Sequence, residues 1–230
     1  MAVYKYETHV HTAESSRCGM MDAVEMVRFY KDIGYKGICI TDHFLNGNTT
    51  VPEDLPWAER IELFCLGYEK AYAEGQKIGL DVFFGWETTF RGTDLLTYGL
   101  DKEWLLDNPD LLELSINEYC DRVRSAGGFI VHAHPFREEA YIDMIRLLPR
   151  KVDAVEVINA SRLDFENECA MQYADNYGLM KVAGSDNHIG YMDRLAGIRT
   201  REPLGSIDEM IEAIRMGEAE YFLDYLAEKR

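Results

Sequence analysis

Residues 3–12 read VYKYETHVHT, a β-type run that ends in two histidines spaced one residue apart. In an extended chain, residues i and i+2 point to the same side, about 7 Å apart. His9 and His11 can therefore turn toward one centre. The pattern recurs in FIVHAHP, residues 129–135, where His132 and His134 end another apolar run before a proline.

Outward from these two stretches, short β-type runs alternate with helical patterns. VYKYETHVH is the first strand, MDAVEMVRFYKDIG a helix closed at Gly34, and KGICIT the second strand. A second helix spans about Trp57 to Gly79, and LDVFFGWETT and DLLTYGL follow as strands. NPDLLELSINEYCDRVRSAGG is a helix, FIVHAH a strand, EAYIDMIRLL a helix and VDAVEVIN a strand. FENECAMQYADNYG, LMKVAGS and SIDEMIEAIRMG complete the series as helix, strand and helix. Most of these helices stop at glycine, the usual C-terminal cap. About seven strands alternating with helices predict right-handed crossovers and a mainly parallel sheet. At 230 residues the economical solution is a closed or nearly closed barrel, with an open doubly wound sheet as the alternative. No repeat, linker or low-complexity stretch interrupts residues 1–230, which read as one domain.

Composition narrows the function classes. The net charge of −17, from 24 basic and 41 acidic side chains, disfavours a grip on long nucleic acid, which normally needs a basic face. It does not exclude a small phosphorylated substrate, because bound divalent cations reverse the local field. No apolar run reaches the roughly 18–20 residues that span a bilayer. The start MAVYKYETH lacks the basic and apolar regions of a signal peptide, so a cytoplasmic location is expected. Five scattered cysteines without a C-x-x-C pair read as reduced thiols. Composition leaves the oligomeric state open.

All six histidines fall at or just beyond the C-terminal end of an expected strand: His9, His11, His43, His132, His134 and His188. In a parallel barrel those ends converge on the face where active sites are built. Carboxylates accompany them: Asp42 in TDHF, Glu87 in GWETT and Asp186 in GSDNH. Imidazole plus carboxylate is the donor set of zinc, manganese or iron. So many donors exceed the needs of one tetrahedral ion and point to two or three divalent ions. Each motif alone is weak; the joint pattern is specific.

The ordered motifs ETHVHT, GICITDHF, FFGWETT, FIVHAHPFR, VEVIN and VAGSDNH resemble the PHP family, named for polymerase and histidinol phosphatase. The resemblance runs from residue 7 to 188, and the tail AGIRT…SIDEMIEAIRMG fits the family's closing strand and helix. It implies a distorted (β/α)7 barrel, a two- or three-metal site of zinc, manganese or iron, and phosphoester hydrolysis by a metal-activated hydroxide. Carried over by position, His9, His11, Glu87 and Asp186 would bind the first ion. His43 and His188 would bind the second, and Glu87 and His134 the third. The chain departs from the family pattern twice, with Arg17 and Asp94 where histidines are expected. Asp94 remains an oxygen ligand for the third ion. Arg17 cannot ligate; it either holds a substrate phosphate by paired hydrogen bonds or bridges to Glu14. Cys18 reads as a soft ligand or a small core residue, the second being favoured.

The expected activity is hydrolysis of a small-molecule phosphomonoester. A phosphodiesterase or short-oligonucleotide nuclease, an amide hydrolase, and a non-catalytic metal-binding module are the alternatives. Arg17, Arg137 and Arg162 are candidates to hold a phosphate, and Asn159 to fix substrate or water. Asp186 and His132 join Arg17 as catalytic candidates, His132 to contact substrate or protonate the leaving group. Asp42 could orient a neighbouring histidine. The polar segment FLNGNTTVPEDLPW after His43 is either part of the substrate wall or a surface loop.

Overall fold

The computed structural model describes residues 3–226. β1 (Tyr4–Val10), β2 (Gly37–Ile40) and the first half of β3 (Asp81–Phe90) run parallel, linked by α1 (Ala23–Asp32) and by α2 (Trp57–Phe64) with α3 (Leu66–Ile78). α1 follows its sequence pattern: the Asp22 carboxylate accepts from the Glu25 amide, and Ala23, Met26, Val27 and Tyr30 form the buried stripe. The helix expected over residues 57–79 is two helices, because Cys65 both closes α2 and opens α3.

β4 (Thr93–Tyr98) pairs antiparallel with β3 through a two-residue turn, Arg91–Gly92, in which both φ angles are positive, at 51° and 82°. That turn is too short for a crossover and suits a twisted hairpin. α4 (Lys102–Leu106), a 3-10 turn at Leu111–Glu113 and α5 (Ile116–Ser125) lead to β5 (Phe129–Ala133). The helix expected from residue 108 starts only at Ile116, after the Ser115–Glu118 capping box. β6 (Ala154–Asn159), α6 (Asp164–Tyr177), β7 (Met180–Gly184), β8 (Arg194–Thr200), α7 (Ile207–Arg215) and β9 (Glu220–Tyr225) complete the chain.

The sheet order is β7-β6-β5-β4-β3-β2-β1-β8-β9. β1–β2, β2–β3, β5–β6 and β6–β7 are parallel. β1–β8, β3–β4, β4–β5 and β8–β9 are antiparallel. The expected predominance of parallel pairing is therefore corrected to an even mixture, because one hairpin replaces a crossover and the tail adds two antiparallel strands. The helix expected at residues 139–148 is also absent. Arg146 instead donates to the Phe90 and Arg91 carbonyls, and the Leu148 amide donates to the Tyr173 hydroxyl. These bonds to neighbouring segments compete with the helical ladder, and Tyr141, Met144 and Ile145 are left exposed.

The sheet curls into a nearly closed barrel. Its seam, between β7 and the β1–β8 pair, is stitched by side chains and by the segment after β7. Thr8 Oγ1 donates to the Ala183 carbonyl (2.8 Å), the Ala196 amide donates to Ser185 Oγ (2.9 Å), and the His11 amide donates to the Asn187 carbonyl (2.9 Å). Tyr6, Cys39, Phe83, Leu96, Tyr98, Val131 and Val182 pack together with Met210, Ile211 and Ile214 of α7. The apolar filling is thus complete at one end, and the polar groups are gathered at the strand ends of the other. Among the described residues no helix is long and apolar enough to cross a membrane.

Candidate metal centre

β1 carries a bulge: Tyr6 and Glu7 pair with Gly37 and Ile38, but Val10 pairs with Ile40. The extra residue is held by Glu7, which is fully buried and whose Oε1 accepts from the amides of Thr8, His9 and Ser185 (3.0, 3.1 and 2.8 Å). Burial pushes the Glu7 carboxyl up to about 7 despite these donors. The bulge lets His9 and His11 converge, with their Nε2 atoms 3.1 Å apart.

Their tautomers follow from the opposite ring atoms. His9 Nδ1 lies 2.9 Å from Glu156 Oε1, a carboxylate that only accepts, so Nδ1 carries the hydrogen. His11 Nδ1 lies 3.1 Å from Ser16 Oγ, whose own hydrogen goes to Asp42 Oδ1 at 2.7 Å. His11 Nδ1 is therefore the donor in that pair. In the neutral rings both Nε2 atoms carry lone pairs, and the two lone pairs face each other. Around them stand Asp186 Oδ1, 3.5 and 3.3 Å from His9 and His11, and the Glu87 carboxylate, 3.5 Å from each. Two convergent imidazole nitrogens ringed by carboxylates fit a cation, which would take the place of the proton between them.

His43 and His188 flank His11, with ring centroids 4.3 and 4.1 Å from it. His43 Nδ1 and Glu87 Oε2 approach to 2.6 Å without the alignment of a hydrogen bond, and both are buried without a hydrogen-bond partner. Such orphaned groups are rare in a protein interior. His134 Nε2 lies 3.1 Å from Glu87 Oε1, so Glu87 stands between His43 and His134. His134 and Asp186 have positive φ, 25° and 54°, conformations that favour glycine and concentrate at functional sites. Three donor groups result, each with ligand atoms within 4.8 Å of one another: His9–His11–Asp186, His9–Glu87–His134 and His11–His43–His188.

Charge is balanced within the cluster. Burial disfavours charge on every member, but Glu156 and Asp186 hold His9 well above the ordinary imidazole range. Burial, His188 and His43 push His11 well below it. Against burial, His43 and His134 hold Glu87 well below the usual carboxylate range, and His9 and His11 do the same for Asp186. Asp42, whose burial outweighs three donated hydrogen bonds and the nearby His43, is pushed up to about 6.

Not every candidate joins the cluster. His132 lies within β5, where alternation sends its ring outward, edge-on to Tyr173 at 5.9 Å, with Nδ1 unpartnered. Burial depresses it to about 3. His132 and His134 thus diverge, because the positive φ of His134 breaks the strand. Arg17 is exposed, and its Nε donates to the Thr49 carbonyl, away from the imidazoles. Neighbouring Cys18 is half-buried, with the His188 and His43 imidazoles as the groups that act on its thiol. Burial raises that thiol, but the two imidazoles prevail and lower it to about 6.

Asp94, near the start of antiparallel β4, reaches the same rim. Its Oδ2 pairs with Arg137 Nη2 at 2.7 Å and lies 4.0 Å from His134 Nε2. Burial and Glu87 raise its carboxyl, with His134 and Arg137 opposing. Asn159 is fully buried; its Nδ2 donates to Glu156 Oε2 at 2.9 Å and lies 3.5 Å from Asp186 Oδ2. Arg162 pairs with Glu139 at 3.4 Å. In the segment after His43, Phe44, Leu45 and Val51 are buried, and the Thr50 amide donates to the Ser15 carbonyl. It packs beside the site rather than hanging free.

Sequence reasoning passed over Ser16 and the second carboxylate pair, Glu7 and Glu156. The signal for the carboxylates was present: each is a charge inside a short apolar or aromatic strand, where an unpaired carboxylate is seldom buried. Nothing in the spacing marked Ser16.

A nearly closed α/β barrel that gathers five histidines and three carboxylates at its strand ends defines a class of clustered histidine–carboxylate donor sites. Within that class the chain belongs to the PHP domain family, whose pattern matches residues 7–221. Similar solved structures include a two-domain protein from Bacteroides vulgatus containing a predicted PHP-like metal-dependent phosphoesterase. It has a TM-score of 0.69 and 17% identity, over 96% of this chain and 65% of that longer one. A proposed metal-dependent phosphoesterase from Bifidobacterium adolescentis aligns over 90% of this chain and 94% of its own, with TM-score 0.55 and 17% identity. An amidohydrolase from Chromobacterium violaceum, solved with bound sulfate and no metal, covers 97% and 98%, with TM-score 0.56 and 16% identity. No curated protein matches the chain.

Proposed function

We propose that the protein is a metal-dependent phosphoesterase acting on a small phosphomonoester. The observation that carries this reading is the convergence of His9 Nε2 and His11 Nε2 with the Glu87 and Asp186 carboxylates on one buried point. His9, His11, Glu87 and Asp186 would hold one divalent ion, His11, His43 and His188 a second, and His9, Glu87 and His134 a third. Zinc, manganese and iron all suit these donors. When bound, such ions lower the pKa of a water toward neutrality and offset phosphate charge.

The chain's own groups do the rest. Glu156 and the Ser16–Asp42 pair fix the tautomers and orientations of His9 and His11. Arg137, held by Asp94 at the rim, is the candidate to contact a phosphate oxygen. Arg17, tied to Thr49, and Arg162, tied to Glu139, are more weakly supported as phosphate contacts. The net charge of −17 favours a compact substrate over a long nucleic acid. Five free cysteines accord with a reducing, cytoplasmic setting.

The test is a phosphate-release screen over phosphomonoesters, diesters and amides, run separately with manganese, zinc and iron. His9→Ala and Asp186→Ala should abolish turnover and reduce bound metal. Cleavage of amides alone, or full activity in either variant under chelator-controlled conditions, would overturn the reading.

A further inference from the structure

The three donor groups are not equally equipped. Two members of the His9–Glu87–His134 group, His9 and Glu87, also face the first position, and His134 alone is its own. Beyond Glu87, the carboxylate oxygens nearest His134 Nε2 are Asp186 Oδ2 at 3.9 Å and Asp94 Oδ2 at 4.0 Å. Asp186 already serves His9 and His11, which leaves Asp94. Its backbone stands in register between Thr89 of β3 and Ala133 of β5, so the carboxylate is fixed beside His134.

That carboxylate is engaged elsewhere. Asp94 Oδ2 pairs with Arg137 Nη2 at 2.7 Å, and Asp94 falls outside all three donor groups. Arg137 is itself held in place: its amide donates to the His134 carbonyl at 2.9 Å, and its guanidinium lies 5.8 Å from the Tyr141 ring centre. Asp94 Oδ1 is buried without a hydrogen-bond partner, so the second oxygen of the carboxylate is uncommitted. We propose that Arg137 is the standing cation of the His9–Glu87–His134 position, and that by holding Asp94 it makes this the weakest of the three ion sites. The inference rests on the metal-dependent reading above and adds to it the order in which the positions fill. The guanidinium acts in two ways. It withholds an oxygen donor that a divalent ion would otherwise use, and it repels an incoming ion of like charge. It also accounts for aspartate at residue 94, since a carboxylate pairs with the arginine and a neutral imidazole would not.

The experiment counts the ions that metal-stripped full-length protein takes up from chelator-buffered zinc, and follows Tm in the same samples. In the natural chain two ions should bind at free zinc about 10–100-fold below that needed for the third, the scale of effect that partners of ligands have on metal affinity. Arg137→Gln removes the charge and releases Asp94, whose buried carboxylate is then uncompensated until an ion binds. Its third ion should bind with the first two, and zinc should raise its Tm by more than it raises that of the natural chain. Arg137→Lys keeps the charge and should keep the natural order. Asp94→Asn should retain both tight ions, with the third still weak. Circular dichroism shows which variants fold; if Arg137→Gln does not, the natural chain and Asp94→Asn still decide the order. Three ions of equal affinity in the natural chain, an unchanged order in Arg137→Gln, or loss of a tight ion in Asp94→Asn overturns this inference alone. Failure of the natural chain to bind any zinc overturns the metal-dependent reading together with it.

Discussion

His9 Nδ1 and Glu156 Oε1 lie 2.9 Å apart, both fully buried, one at the end of β1 and the other inside β6. The pair spans the barrel and sets the tautomer that leaves His9 Nε2 as a lone pair. Glu156 also accepts from the His134 amide and from Asn159, so one carboxylate positions parts of two donor groups. Replacing it with glutamine keeps the shape but supplies a neutral amide. Glu156→Gln should weaken metal binding about 10–100-fold, as is typical when a partner of a ligating histidine is lost. Metal titration checks this, with an unchanged circular dichroism spectrum showing that the fold persists.

Asp42 acts at one remove, through Ser16. If its carboxylate fixes the hydroxyl hydrogen, Asp42→Asn should disturb His11 more than His9. The same titration in Ser16→Ala should give a loss similar to Asp42→Asn, and the double variant little more than either. Strictly additive losses would show that the two residues do not form one relay.

The Arg137–Asp94 pair sits at the rim with both side chains mostly buried. Removing one partner of a buried ion pair leaves an uncompensated charge and costs about 3–5 kcal/mol. Arg137 keeps some solvent access, so Arg137→Ala should cost near the lower end. Arg137→Ala with Asp94→Ala should recover a large part of that loss in urea unfolding. With substrate, Arg137→Ala should also raise KM, whereas Arg137→Lys should restore stability better than binding, because lysine lacks the planar fork.

The sequence announced the site more clearly than the sheet that holds it. Histidines and carboxylates are chemically costly at strand ends, so His9, His11, His43, Glu87, His134, Asp186 and His188 stood out by type and position. The β3–β4 hairpin did not, because the Arg91–Gly92 turn carries little sequence signal and TDLLTY looks alike in either direction. Residues 139–148 have helical periodicity, yet Arg146 and the Leu148 amide find partners outside the segment, and tertiary bonds override local preference. His132 misled because i, i+2 equivalence fails where a strand ends between the two residues. Arg17 and Cys18 could not be sorted by spacing, since spacing does not fix side-chain direction in a tight turn.

Bound metal should stabilise the fold by mass action. At a free concentration a hundredfold above Kd, one site contributes about 2.7 kcal/mol. For a chain of this size each kcal/mol raises Tm by roughly 2–4 °C. Chelation should therefore lower Tm by several degrees, and added zinc should reverse the loss. His9→Ala should blunt the shift, because its imidazole belongs to two of the three donor groups. Differential scanning fluorimetry with and without chelator measures it directly.

Gly67 lies in α3, where alanine would ordinarily be favoured by about 1 kcal/mol on helix propensity. Here the balance reverses. A Cβ at residue 67 would stand 2.2 Å from Thr12 Oγ1 and 2.7 Å from Asp42 Oδ2. Thr12 donates to Asp42 through both its amide and its hydroxyl, at 2.6 and 2.7 Å, so neither oxygen can retreat without breaking the group that holds Ser16 and His11. Overpacking of this kind costs about 1–3 kcal/mol, enough to cancel or exceed the propensity gain. Gly67→Ala should thus lie between neutral and destabilising by roughly 2 kcal/mol in urea unfolding, the difference between those two terms. It should also weaken metal binding, because the displaced Asp42 releases the Ser16 hydroxyl. A stabilised variant with unchanged metal affinity would show that α3 yields and that the Thr12–Asp42 contact does not position the site.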